Sequence, residues 1–198
     1  EDYVRQLEIA QLISHLEPPQ ACGRIWLERF SPYYSEQSDF PISDVHPHSS
    51  YKYTYPGYVD LDKIAYFFEY DMGDTIPEHS HTDIKRWVDT WKALYYSKEP
   101  HTLTYRQTPN NLFIDDNRGE NKRGTYTFQN PLASIYTSCN EAPRTPEYAF
   151  NELHRGDTAA DIELNDVVWS LDEFCKLGLM VEENGRYLSL ALPENPTW

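Results

Sequence analysis

The chain has 198 residues, 39% apolar and 25% charged, enough for one large domain or two small ones and globular rather than disordered in character. Its 17 basic and 32 acidic side chains give a net charge of −15, which would repel a phosphate backbone and anionic lipid headgroups alike. No stretch approaches the roughly 20 apolar residues of a membrane-spanning helix, so neither nucleic acid nor membrane is an expected partner.

The chain opens at Glu1 with no initiator Met, directly into an amphipathic pattern, and reads as an excised piece or a processed product. Cys22, Cys139 and Cys175 are too few and too scattered for a disulfide framework, so a reducing, cytoplasmic setting is expected. Sixteen Tyr, eight Phe and five Trp are many for this length, and such rings fill cores or line interfaces.

The first predicted element is a helix over Tyr3–Leu16, ended by Pro18-Pro19. Arg24–Glu28 alternates like a strand, and Arg29–Tyr34 follows as a turn carrying three rings. Residues 35–50 lack periodicity and are expected to form an ordered surface loop. Tyr51–Tyr55 alternates aromatic and polar side chains, a strand signature. Helices are predicted over Leu61–Tyr70, capped by Asp60, and over Thr82–Tyr96. Strands over Thr102–Gln107, Asn111–Asp115 and Thr125–Phe128 make an antiparallel meander, turning at Pro109-Asn110 and along residues 117–124.

Short helices are predicted at Pro131–Ser138 and Pro146–Leu153, each with Pro where a first turn accepts it. Asp166–Leu177 is the clearest helix, with Gly178 placed as a left-handed stop. Leu179–Val181 and Arg186–Leu190 then flank Glu183-Asn184-Gly185, a tight-hairpin signal. The expected fold is α+β: a leading helix over residues 1–20, an α+β body over 21–160 that holds the meander, and a winged-helix-like module over 161–198.

Chemistry-bearing motifs are sparse. His46-Pro47-His48 and His79-Ser80-His81 are both H-x-H, with His101 a further candidate, but neither pair has a third ligand at a recognised spacing. They read as surface histidines; a small metal-dependent hydrolase is the less favoured alternative. Asp115-Asp116-Asn117-Arg118 ends a strand, either as a carboxylate pair for cation or acid–base work, or as a turn in which Arg118 pairs with a neighbouring carboxylate. The turn is the favoured reading. The stretch Asn165–Glu173 of the predicted recognition helix carries Asp166, Asp172 and Glu173 and no base, so it suits a peptide or a neighbouring domain, not DNA.

Arg29-Phe30-Ser31-Pro32-Tyr33-Tyr34 is the densest feature. It is either an interface, with Arg29 forking a carboxylate beside a wall of rings, or a structural turn around a buried Arg; both readings stand.

Taken in order, these segments resemble a known family. Leu16-Glu17-Pro18-Pro19, Ile25 to Tyr34, Val45-His46-Pro47 and Tyr51 to Pro56 are similar to the region after the barrel in cobalamin-binding radical SAM enzymes that mature ribosomal peptides. Ile64 to Phe68, Phe113 to Arg118, Leu177 to Val181 and Arg186 to Pro193 continue the resemblance nearly to the end of the chain.

The resemblance implies a parent enzyme with a cobalamin domain, a radical SAM barrel holding a [4Fe–4S] cluster, and this piece as its C-terminal accessory domain. It implies methylation of a precursor peptide; more distant relatives include the magnesium-protoporphyrin IX monomethyl ester oxidative cyclases. The cluster motif C-x3-C-x2-C and the cobalamin motif D-x-H-x-x-G are both missing here, so no catalytic or metal residue carries over. The piece alone is expected to bind no cluster, S-adenosyl-L-methionine or cobalamin. Its partners would be the upstream domains and the precursor peptide, through Arg29, Tyr33, Tyr34, Tyr51, Tyr53, Tyr55, Asp115 and Arg118. The alternative is a stand-alone acidic adaptor for a peptide or protein.

Overall fold

A computed structural model of the chain describes residues 2–73, 81–119, 124–155 and 161–195. The fold is α+β, with short helices and small, mainly antiparallel sheets. It divides into two compact units: Ala21–Lys85, and the residues up to Gln20 together with those from Arg86 onward. The first division falls after Gln20, and the residues before it belong to the same unit as those from Arg86 onward. The second falls at 85/86, so residues 161–195 share a unit with the meander instead of standing apart from it.

The leading helix, α1 (Asp2–Leu12), is shorter than its apolar spacing predicts, and the chain leaves it in a turn closed by Leu16 N–H on the Ile13 carbonyl. Unit 21–85 then contains β1 (Leu27–Glu28), α2 (Pro32–Ser35), a 3-10 turn at Gln37–Asp39, β2 (Ile42–Pro47), the one-turn helices α3 (Tyr51–Thr54) and α4 (Leu61–Ile64), and β3 (Phe67–Met72). The three strands form an antiparallel sheet in the order β1–β3–β2. Leu27 pairs with Phe68 and Glu28 with Phe67; His46 pairs with Glu69. Between Ser43 and His46 the ladder bulges by one residue, which Asp44 accommodates at φ 49°. Leu27, Ala65 and Phe68 form the buried centre, ringed by Tyr33, Tyr34, Tyr51 and Tyr70.

Four expectations are corrected in this unit. The strand expected over Arg24–Glu28 is only Leu27–Glu28, and the loop expected over residues 35–50 contains β2. Tyr51–Thr54 is one helical turn with Tyr55 extended just past it, and Tyr51 and Tyr55, four apart, stack at 6.0 Å and 16°, an arrangement a strand forbids. The helix over Leu61–Tyr70 stops after one turn, because Ala65 is extended and the aromatic run beyond it pairs as β3. Asp60 holds the N-cap position but makes no side-chain cap bond.

Beyond this unit the sequence reading holds closely. Helix α5 (Thr82–Tyr95) buries Val88 and Trp91, and the Trp91 indole N–H donates to the Leu16 carbonyl at 2.9 Å. Strands β4 (Leu103–Gln107), β5 (Asn111–Asp116) and β6 (Gly124–Gln129) form the meander. Helices α6 (Leu132–Thr137), α7 (Pro146–Arg155) and α8 (Leu164–Lys176) follow, then the hairpin β7 (Met180–Glu183) and β8 (Arg186–Ser189). A last short strand, β9 (Leu192–Pro193), lies parallel to β4 at the edge of the meander.

Helix α8 starts two residues before Asp166, which sits in its first turn and accepts the Glu163 N–H at 2.9 Å. It ends as expected: Gly178 has φ 72°, and the Leu179 N–H returns to the Phe174 carbonyl. The core joins Leu112 and Ile114 of β5 to Tyr136, Val167, Leu171, Phe174 and Met180.

Candidate functional site

The sequence-predicted residues separate into three environments. The first is the aromatic turn. Arg29 does not fork a carboxylate: its Nε donates to the Ala65 carbonyl at 2.5 Å, Nη2 donates to the Asp62 carbonyl, and Nη1 reaches the Tyr34 hydroxyl at 3.5 Å. Its guanidinium also lies 5.1 Å from the Phe68 ring centre and 5.5 Å from that of Tyr34. Arg29 thus holds backbone carbonyls, while Phe30 of the same motif is 81% exposed. Tyr33 packs on Phe40, and Tyr34 on Phe68. Tyr51 accepts the Tyr66 N–H at 2.9 Å on its hydroxyl, taking up a backbone donor just past α4. Only Tyr53, 91% exposed, and Tyr55, at the rim, are presented to solvent.

The second environment splits the acidic pair at the end of β5. Strand alternation sends Leu112, Ile114 and Asp116 inward and Asp115 outward. Asp115 accepts from Arg106 at 2.5 Å and from Thr125 Oγ1 at 2.5 Å on the wet face. Arg118 is an interior residue, not a surface one. It clasps Asp116 through two parallel bonds and carries the Leu12 and Gly178 carbonyls on its remaining donors. Asp115 and Arg118 are thus not members of one site.

Beside this pair lies a polar cluster of which the sequence reading marked only His101. His15 is bonded through Nε2 to the Leu190 carbonyl at 2.8 Å, which places the proton on Nε2 and the lone pair on Nδ1. That Nδ1 is buried, with no hydrogen-bond partner among the described residues. Burial, assisted by the charge of Arg118, lowers the pKa of His15 to about 4, and the ring is neutral at physiological pH. Ser14 Oγ contacts His101 Nδ1 at 2.9 Å.

The third environment is the outer face of the β1–β3–β2 sheet. The Glu69 carboxylate accepts both the backbone N–H and the hydroxyl of Ser49, at 3.0 and 2.7 Å, and those bonds hold its pKa below the ordinary range. His48 Nε2 stands 3.6 Å and His46 Nδ1 3.8 Å from it. Since His48 Nδ1 accepts from the Ser50 N–H, its proton is on Nε2, facing Glu69. An open groove of about 270 Å³ runs past these groups, lined by Trp26, Phe67, Glu69, His48, Tyr70 and Arg24 among others. Alternation in Phe67-Phe68-Glu69-Tyr70 was the signal that could have found this face, and the aromatic density hid it.

Among the described residues no group of three or more His, Cys, Asp and Glu side chains is arranged to hold a metal. His79 lies outside the described residues. Cys139 and Cys175 are free, and burial raises both thiols, Cys175 to about 11, so neither is a thiolate at neutral pH. Among the described residues no helix is long and apolar enough to cross a membrane. No protein-family model, no curated protein and no solved structure matches the chain.

Proposed function

We propose that the chain is a non-catalytic, substrate-handling module of a larger cobalamin-binding radical SAM enzyme that modifies a precursor peptide. In this reading its C-terminal part works as a winged-helix-like peptide grip. The observation that carries it is the order α6, an isolated bridge at Arg144, α7, α8, β7 and β8, in which Arg144 pairs with Tyr187 of β8. A first helix, a short strand pairing with the wing, two further helices and a hairpin are the parts of a winged helix. In this reading the module begins at α6, before residue 161.

The charge of this part favours a peptide. The exposed surface of α8 carries Asp166 and Asp172 around Trp169, which is 63% exposed, and would repel phosphate. The wing also offers an edge. Tyr187 exchanges both backbone bonds with Arg144, so the N–H and C=O of Glu182, opposite Tyr187, face the outer edge of β7. There Arg5 donates to the Glu182 carbonyl at 2.8 Å, and an added peptide strand would displace it.

Groups that could do chemistry serve structure in this reading: Arg29 holds carbonyls, and Asp116 and Arg118 hold one another. The test is photo-cross-linking of precursor peptide in the intact enzyme from a benzophenone side chain at position 182 or 169. Cross-links at both positions are expected. Cross-links confined to the upstream domains, or stoichiometric iron, corrin or turnover in the purified 198-residue chain, would overturn the reading.

A further inference from the structure

Unit 21–85 exposes a row of aromatic rings that none of its described residues covers. The Trp26 ring stands edge-on to Phe67 at 5.1 Å, Phe67 edge-on to Tyr66 at 4.9 Å, and Tyr66 lies 6.2 Å from Phe30. Trp26 is 66% exposed and Phe30 81%. Rings of this size contribute most when desolvated, and a contiguous exposed row of them marks an interaction surface.

Two carboxylates are set into the same face. Leu27 and Phe68 point into the small core, so their neighbours Glu28, Phe67 and Glu69 project from the opposite side of the pleat. Glu69 is fixed by Ser49, and Glu28 accepts the Tyr66 hydroxyl at 3.0 Å. Both are thus held in place before any ligand arrives. Of the nearby arginines, Arg29 is committed to the Ala65 and Asp62 carbonyls, while Arg24 lines the end of the groove with its guanidinium laid on the Tyr70 ring, 5.0 Å from its centre. Unit 21–85 as a whole has five Lys and Arg against eleven Asp and Glu.

Glu28 lies opposite Phe67, and Glu69 is two residues further along, so the two acids are diagonal neighbours, about 7 Å apart at their β-carbons. Alternate side chains of an extended chain repeat at about 6.6 Å. We propose that the outer face of the β1–β3–β2 sheet is a docking groove for an extended peptide bearing Arg or Lys at alternate positions. One cation stacks on Trp26 beside Glu69 and the next reaches Glu28 over Tyr66. Arg suits the site better than Lys, because its planar fork pairs with a carboxylate while its face lies on a ring. The inference rests on this face alone and is independent of the winged module.

The test is fluorescence anisotropy of the purified chain with labelled Gly/Ser peptides containing Arg-x-Arg, Arg-Arg or Glu-x-Glu. Binding is expected for Arg-x-Arg, weaker for Arg-Arg, absent for Glu-x-Glu, and diminished by salt. Trp26→Ala and Glu69→Gln should each weaken it on the order of tenfold. Trp26 is exposed, and the Gln amide oxygen still accepts from Ser49, so both variants should keep the circular dichroism of the parent. Tyr58→Ala, at a 90% exposed position that does not line the groove, should bind like the parent. Equal binding of Glu-x-Glu, or undiminished binding by both groove variants, would overturn the proposal. Self-association in sedimentation that Trp26→Ala abolishes would assign the face to a second copy and overturn it equally.

Discussion

Arg118 and Asp116, two residues apart, form a closed bidentate pair inside the protein: Nε donates to Oδ1 at 2.9 Å and Nη2 to Oδ2 at 2.7 Å, with side chains 1% and 0% exposed. The same guanidinium binds the carbonyl of Leu12, the last residue of α1, and that of Gly178 just past α8. One side chain therefore fastens the meander, the leading helix and the last helix at a single point. Arg118→Ala should cost about 3–5 kcal/mol in urea unfolding, since it strands a buried carboxylate and two carbonyls. The double variant Asp116→Leu with Arg118→Met should cost less than Arg118→Ala, because no charge is left unpaired. A double variant as unstable as the single would show that the carbonyl bonds, not the ion pair, dominate.

His15 predicts an acid limit to stability. Its pKa is about 4 in the folded chain and 6.5 in the unfolded one, so the unfolded state takes up the proton first as pH falls. The associated stability is fully present above about 6.5, declines below it, and is gone by about 4. At about 1.4 kcal/mol per pH unit, the whole effect is about 3 kcal/mol. His101, Asp116 and Arg118 surround the ring, and none of their charges removes the burial that causes the shift. Urea midpoints measured across that range should fall toward acid, and His15→Gln should flatten the profile.

The β7–β8 turn combines a left-handed backbone with one side-chain bond, in which the Glu182 carboxylate accepts the Gly185 N–H at 2.8 Å. Asn184 and Gly185 have φ 53° and 74°, the pattern of a two-residue hairpin turn that matches the twist of its strands. A β-carbon at Gly185 would meet nothing within 4 Å. Gly185→Ala should therefore cost only the left-handed backbone penalty, about 1 kcal/mol, and Gly185→Val more, read as thermal midpoints.

Arg29 and Asp115 should differ sharply despite similar positions at the start of turns and the end of strands. Arg29→Ala removes the donors of two carbonyls and should cost about 2–3 kcal/mol, seen as faster hydrogen exchange in Phe67–Met72. Lysine should restore little, having one ammonium where the guanidinium spans two acceptors. Asp115→Ala removes an exposed pair with Arg106 and should cost under about 1 kcal/mol.

Elements with strong local periodicity were legible. Helix α8, its Gly178 stop, the Asn184-Gly185 hairpin and the meander follow from patterns that local sterics enforce, whatever else is nearby. Unit 21–85 misled because its aromatic residues satisfy strand and helix patterns equally. Tyr51 became helical once its hydroxyl found the Tyr66 N–H, and Phe67 became a strand once β1 and β2 flanked it.

For the sites the division is sharper. Composition by itself set the net charge of −15, because net charge requires no coordinates. Which carboxylates belong together was decided only in three dimensions. Asp115 and Asp116 are adjacent in sequence and face opposite sides of a strand, whereas Glu28 and Glu69, forty-one residues apart, share one face because β1 and β3 pair. Long-range pairing sets side-chain company, and a single chain read in order has no means to express it.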